Sequence, residues 1–489
     1  MGNLSFKLPK SWELFTLGEV SSKPQYGWTT KASKTGDKLK LLRTTDISSG
    51  HVNWETVPTC IKEPAEPSKY FLNDGDIVVA RAGSVGKSFL IREDVTDAVF
   101  ASYLVRFTPS VDSRYVNYFM QSRFYWNQIE EQSAGIAVPN VNASKLANLE
   151  IPIAPLNEQR RIVEKIETLF AHIDKGEEAL REVPKLLKRY RQSILKAAVT
   201  GELTRDWREA NQHKLEPATD LLERILENRS ENWQGRRKYK EPTAPEESNQ
   251  FSGLPESWAL STTEQLAFVE TGATPKKSEP SYYSAQEIPW ITSTAVNEDP
   301  IQTPQAHITE KALKDTNAKV FPAGTLIVAL YGEGRTRGKV SELAFESATN
   351  QACAALLVQH LPSNVMRYLK LFYLYNYEAI RRKSAGGVQP NLNLSIIKAT
   401  QVPLPSQDEM RKILVRVNAE LSKMADLDLI CSKEIIRSTA LRQSILKSAF
   451  TGQLVPQNPD DEPASELLAR IQPAMADKSN KGNLLKEGR

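Results

Sequence analysis

The chain has 489 residues, 40% apolar and 25% charged, a composition that fits a globular protein of two to four domains and excludes a single core. Its 63 basic and 59 acidic residues leave a net charge of only +4, so nucleic-acid binding through bulk charge is excluded and would have to come from local clusters. Three scattered cysteines with no CxxC pair exclude zinc ribbons and a disulfide framework, and no apolar run is long enough to span a membrane.

The opening segment, MGNLSFKLPKSWELF, has no apolar centre for a signal peptide and carries Phe6 where a myristoylation pattern needs Ser or Thr. A cytoplasmic location with no membrane association is expected. Residues 1–155 read as the first globular unit. Segments such as LKLLRTTDISSGHVNW, NDGDIVVARAGSVGKSFL and VFASYLVRF predict short strands joined by Gly, Asp and Pro turns. Val116, Phe119, Met120 and Ile129 within 113–132 have helical spacing. The unit is therefore α+β, without a βαβ series.

GSVGKS at 83–88 resembles the end of a phosphate-binding loop, but Arg81 stands where the first glycine of that pattern belongs. The aligned segment of the other half, GEGRTRGKV at 332–340, lacks the Ser or Thr after Gly-Lys. Both read as glycine turns after buried strands, either plain hairpins or turns that present basic side chains to DNA. For DNA, Arg81, Lys87, Arg335, Arg337 and Lys339 are the candidates, because arginine can donate twice to a guanine edge and glycine lets backbone approach phosphates. QYGWTTKASK (25–34) and ETGATPKKSE (270–279) share a turn followed by lysines, adding Lys31, Thr274, Lys276 and Lys277; Arg43 lies at the tip of the next strand. A solvated role is the bland alternative for each lysine. SAGIAVPNVN (133–142) and SAGGVQPNLN (384–393) are a further matched pair of turns, differing at Val138 and Gln389.

Residues 156–205 form the first long helix. Ile162, Ile166, Leu169, Ile173, Leu180, Val183, Leu187 and Ile194 recur in steps of three and four residues or their sum, the seam of a helix packed along another helix. Pro184 predicts a bend or break near residue 183. Residues 206–253 hold a short helix and a charged linker, residues 254–404 the second globular unit, residues 405–455 the second long helix and residues 456–489 a short helix and tail. On the second long helix Ile413, Val417, Met424, Leu427, Leu441 and Ile445 continue the seam, interrupted by Glu420, Glu434 and Ser438.

The two halves repeat. RQSILKAAVTGEL (191–203) returns as RQSILKSAFTGQL (442–454), identical at 10 of 13 positions, and IPIAPLNEQRRI (151–162) returns as VPLPSQDEMRKI (402–413). LPKSW (8–12) returns as LPESW (254–258), and EPATDLLERI (216–225) as EPASELLARI (462–471). Such a repeat predicts two similar units separated by two long helices in an antiparallel intramolecular coiled coil, with pseudo-twofold symmetry; two independent amphipathic helices are the alternative. Chemistry is scarce: five histidines show no metal spacing, and no methyltransferase Asn-Pro-Pro-aromatic motif, nuclease cluster or complete nucleotide loop is present.

Two variable α+β units, each opening LPxxW and each followed by a long helix with Pro152 and Glu158-Gln159-Arg160 or the matching 402–413 segment, resemble the specificity subunit of type I restriction–modification systems. The second copy departs at Met410, which replaces the glutamine. The resemblance implies a non-catalytic subunit whose two target recognition domains each read half of a split, asymmetric sequence in double-stranded DNA. It implies two modification subunits holding S-adenosylmethionine and two restriction subunits using ATP and Mg, with no cofactor in this chain. About 48 residues of helix would span roughly 70 Å, enough to separate readers one duplex turn, about 34 Å, apart. A methyltransferase–specificity fusion enzyme and a coiled-coil scaffold without DNA readout are the competing readings.

Overall fold

The computed structural model describes residues 7–34, 36–133, 140–233, 238–246, 251, 253–332, 335–383 and 391–471. The chain forms two compact units, residues 1–181 with 431–489, and residues 182–430. Each unit therefore joins one globular half to parts of both long helices, a grouping that cuts across the sequence repeat.

In the first unit, Glu13–Thr16 pairs antiparallel with Glu150–Ile153 and brings the start of the globular half to the entry of the first long helix. A four-stranded antiparallel sheet has the order Gln25–Tyr26, Leu104–Phe107, Ile77–Ala80, Ser88–Leu90. A second sheet has the order Ala32–Ser33, Thr59–Cys60, Lys40–Leu42, Ala98–Phe100, its last pair parallel. Ile77, Val78, Val79 and Ala80 are all fully buried, so this strand is covered on both faces. Helices Ser113–Phe119 and Arg123–Ser133 split the helical region read from 113–132 in two.

The second unit repeats the plan. Ala259–Thr262 pairs with Gln401–Leu404, and an antiparallel sheet has the order Phe268–Thr271, Cys353–Leu357, Leu326–Ala329, Val340–Glu342. A five-stranded sheet again contains one parallel pair, Ile288–Ile291 with Ser347–Thr349. Here one continuous helix, Ser363–Lys383, stands where the first unit has two.

The long helices are Leu156–Val199 and Gln407–Phe450, 44 residues each. In the first unit Asp174 and Glu177 meet Arg442 and Ser438, and Arg442 also lies 5.0 Å from the Phe170 ring centroid. In the second unit the Tyr190 hydroxyl donates to Glu420 at 3.1 Å, and Arg416 pairs with Asp206 at 2.6 Å. Residue numbers rise on one helix as they fall on the other, so the pairing is antiparallel in both units. Ile162 and Ile166 share a buried cluster with Ile445, to which Leu169 and Ile173 add partly buried contacts; Ile413 and Val417 share one with Leu195, flanked by Ile194.

Two expectations need correction. Leu427 and Leu441 are about half exposed, at 46% and 50%, and do not lie in the seam. Met424 and Cys431 are buried there, while Glu420, Ser438 and Arg442 take the partly buried positions because each has a polar partner on the opposite helix. The first long helix is also unbroken at Pro184. That residue is exposed, whereas Leu180, Val183 and Leu187 are half-buried, so the lost backbone bond falls on the solvent side.

The repeated motifs explain how each unit closes. Trp12 Nε1 donates to Glu158 Oε2 at 3.0 Å, and Trp258 Nε1 donates to Glu409 Oε2 at 2.8 Å, both buried. The other carboxylate oxygen of Glu158 accepts from Gln457, and that of Glu409 accepts from Thr204 at 2.7 Å and Arg208 at 2.6 Å. Burial pushes the Glu158 carboxyl up, while its bonds to Trp12 and Gln457 act in the opposite direction. Gly201 and Gly452 end the long helices with φ of +77° and +72°, and a Cβ there would lie 2.6 Å and 2.3 Å from the rings of Pro255 and Pro9. Glycine is thus required twice over, by conformation and by space. Ala218 and Ala464, at the starts of the repeated short segments, donate to Ser257 and Ser11 carbonyls.

The second unit also holds its linker with a buried cation. Arg229, on helix Ala218–Glu231, places its guanidinium carbon 3.9 Å from the Phe268 ring centroid, and Phe268 lies tilted against His360 with centroids 5.1 Å apart. Burial, followed by the charge of Arg229, pushes the His360 imidazole down to about 4.

Two outcomes are expected. Glu409→Ala leaves Trp258 and the mostly buried Arg208 without their acceptor, and chemical denaturation of the full chain should show a loss of roughly 3–5 kcal/mol. Because His360 titrates lower in the folded state than its ordinary 6.5, stability is full above pH 6.5 and falls as the pH drops towards about 4. His360→Gln should remove that part of the acid sensitivity in melting curves taken across this range.

Candidate nucleic-acid interface

In the first unit three turns converge. Ile77–Ala80 and Ser88–Leu90 form a hairpin whose turn has Gly83 and Gly86 at φ +76° and +82°. A Cβ on Gly86 would strike Ile129, so that glycine is needed for packing rather than for phosphate binding. The Gly83 side of the turn faces Thr44, and Lys87 Nζ donates to the Ser48 carbonyl at 2.9 Å, which sets the turn beside the 43–48 segment. Arg43 is held there by Asp46, with Nε and Nη2 donating to its two oxygens at 3.0 Å and 2.8 Å.

Arg81 sits at the exit of the buried strand. Its guanidinium carbon is 5.0 Å from the Tyr26 ring centroid, its N–H donates to the Tyr103 carbonyl at 2.9 Å, and its carbonyl accepts from Val141 at 3.0 Å. Tyr26 leads into Gly27, where a Cβ would lie 2.2 Å from the Phe100 carbonyl oxygen, so only glycine lets the segment pass this close to the strand. Lys31 is exposed on the continuation of that segment, and its carbonyl accepts from Ile61. Arg43, Arg81 and Lys87 are therefore brought together, with Lys31 to one side.

The second unit has a longer turn. Gly338 N–H donates to Ala329 as Gly86 N–H donates to Ala80, so Gly338 and Lys339 match Gly86 and Lys87. Lys339 Nζ donates to Asn297 Oδ1 at 2.7 Å, the counterpart of the Lys87 contact. Arg335 is exposed, and its carbonyl accepts from Tyr377 at 2.6 Å; the Arg337 carbonyl accepts from Arg381. Thr274 donates to Gln351 Oε1 at 2.6 Å, and Lys276 and Lys277 are exposed just beyond it. The turn residues Glu333 and Gly334, and both Val138 and Gln389, lie outside the described residues.

Tyr26, Tyr103, Tyr377, Arg381 and Gln351 complete these surfaces and escape a search for clustered basic residues. A solitary aromatic between two strands, as in SYLV at 102–105, was the available signal for Tyr103. Among the described residues no group of three or more His, Cys, Asp or Glu could hold a metal ion, and no helix is long and apolar enough to cross a membrane.

A family model described as the type I restriction modification DNA specificity domain matches residues 9–183 and 255–427. The type I restriction enzyme StySPI specificity subunit of Salmonella potsdam is 24% identical over 490 residues, covering 95% of this chain and 96% of that protein. The EcoBI specificity subunit of Escherichia coli is 23% identical over 480 residues, covering 94% and 92%. The crystal structure of the HsdS subunit from Thermoanaerobacter tengcongensis shares the fold, with a TM-score of 0.57 at 18% identity over 93% of this chain and 100% of that one. With the matched domain present twice and spanning most of the sequence, the chain belongs to the type I restriction modification DNA specificity family.

Proposed function

We propose that this chain is the DNA sequence-recognition subunit of a type I restriction–modification complex, and that each unit reads one half of a split, asymmetric target. The observation that carries this reading is the pairing of one strand plan with two different surfaces. The antiparallel sheets agree in strand order, while Arg43, Arg81 and Lys87 gather at one turn and Arg335, Arg337 and Lys339 at the other. Lysines at matched positions suit phosphates, which look alike in both half-sites, and the unmatched arginines suit base edges.

In this reading two modification subunits supply S-adenosylmethionine and two restriction subunits supply ATP, Mg and cleavage, all in the cytoplasm. The long helices set the gap between half-sites, since 44 residues of helix extend about 66 Å. Leu427, Leu429 and Ile430, exposed on the second long helix, offer apolar surface for a modification subunit.

Expression of the chain with its modification partner, followed by mapping of methylated positions across a genome, tests the proposal. A single bipartite motif with two unlike halves is expected; methylation without a split motif would refute it. Adding one heptad to both long helices should lengthen the gap and leave the half-sites unchanged in the same assay. Arg335→Ala should relax one half only, with roughly 1–3 kcal/mol of discrimination lost if a base contact disappears; an intact motif would remove Arg335 from the base-reading set.

A further inference from the structure

The two units share one corner of backbone and fill it with opposite chemistry. In the first, the residue after Ile77–Ala80 is Arg81, whose N–H donates to Tyr103 and whose carbonyl accepts from Val141. In the second, the residue after Leu326–Ala329 is Leu330, whose N–H donates to Ala352 and whose carbonyl accepts from Leu392. Arg81 thus occupies the place of Leu330, and Tyr103 that of Ala352. Leu330 and Ala352 are buried and close the second corner with apolar groups. Tyr103 is instead 60% exposed, and Arg81 is only partly covered.

Arg81 is backed by an aromatic ring. Its guanidinium lies against the Tyr26 ring, and the Tyr26 hydroxyl is fixed by accepting the Ala143 N–H at 3.0 Å. The cation–π contact supports the guanidinium from one side. Its Nε is buried and has no hydrogen-bond partner among the described residues.

Resting on the proposed function, we infer that the Arg81–Tyr103 corner reads a guanine in the half-site of the first unit. A planar fork fixed from behind matches the paired acceptors O6 and N7 at the major-groove edge of guanine. Tyr103 stands beside it as the flat apolar surface that excludes water from that contact. A phosphate is the other ligand with paired acceptors, but phosphates are the same in both half-sites, and the chain keeps Lys87 and Lys339 in matched places for them. A group present in one unit and replaced by leucine in the other serves what differs between the half-sites.

The test uses the full chain in complex with its modification partner. Genome-wide methylation mapping with Arg81→Met, which keeps the bulk of the side chain, should show one guanine position of one half-site become degenerate, with the other half and the gap unchanged. Tyr103→Ala should weaken selection at that position or its neighbour. For the wild-type complex, a duplex with 7-deazaguanine at that position should bind about tenfold or more weaker, and the Arg81→Met complex should lose nothing further from the same change. The wild-type half of this comparison does not depend on how the variant folds. An unchanged motif with binding weakened equally on all sequences, and a salt dependence shallower by about one charge, would assign Arg81 to a phosphate and overturn the inference. So would half-sites without guanine, even with the bipartite motif intact. A wild-type complex that selects no split sequence would overturn the proposed function as well.

Discussion

A tryptophan indole donating to a buried glutamate is the contact on which each unit depends. Trp12 to Glu158 and Trp258 to Glu409 tie the first residues of each globular half to the first turn of a long helix. A carboxylate taken out of water needs its lone pairs filled, and the tryptophan fills only part of that need. The rest comes from the segment that follows the other long helix, through Gln457 in one unit and through Thr204 and Arg208 in the other. One buried charge thereby holds three separate parts of the chain: a reading domain, the helix that leaves it and the end of the helix that returns.

This arrangement accounts for which parts of the sequence repeat. LPxxW, the glutamate in the first turn of the long helix and the segment from the TGxL turn onward are in contact, so a change in one would strand the others. Gly201 and Gly452 cannot carry a side chain beside Pro255 and Pro9. The glycine turns after the buried strands are free of these constraints and differ in length and charge between the units.

Much of this was legible in the sequence, for physical reasons that can be named. A seam of apolar residues at three- and four-residue steps marks a helix that packs on a helix, and the steps from Ile162 to Ile194 do so. On the second long helix the same rule misassigned Leu427 and Leu441, because hydrophobicity alone misses polar pairs such as Ser438 with Glu177. Pro184 misled because a proline on the solvent side of a paired helix removes a bond without breaking the helix. The basic candidates at the turns were visible as residue types. The cation–π contact of Arg81 with Tyr26, and its replacement by Leu330 in the other half, depend on strand register and could not be read from the residue pattern.

The first unit is assembled from two distant pieces of chain, residues 1–181 and 431–489, whereas the second is one continuous segment. Pro9 meets Gly452 and Ser11 meets Ala464 only after more than four hundred intervening residues have been made. On a ribosome, the second unit can complete its core while the first still lacks Gln457, which completes the bonding of Glu158. The earlier-synthesised reader is thus the later to be finished, and a chain truncated before its last short helix would carry one closed unit and one open one.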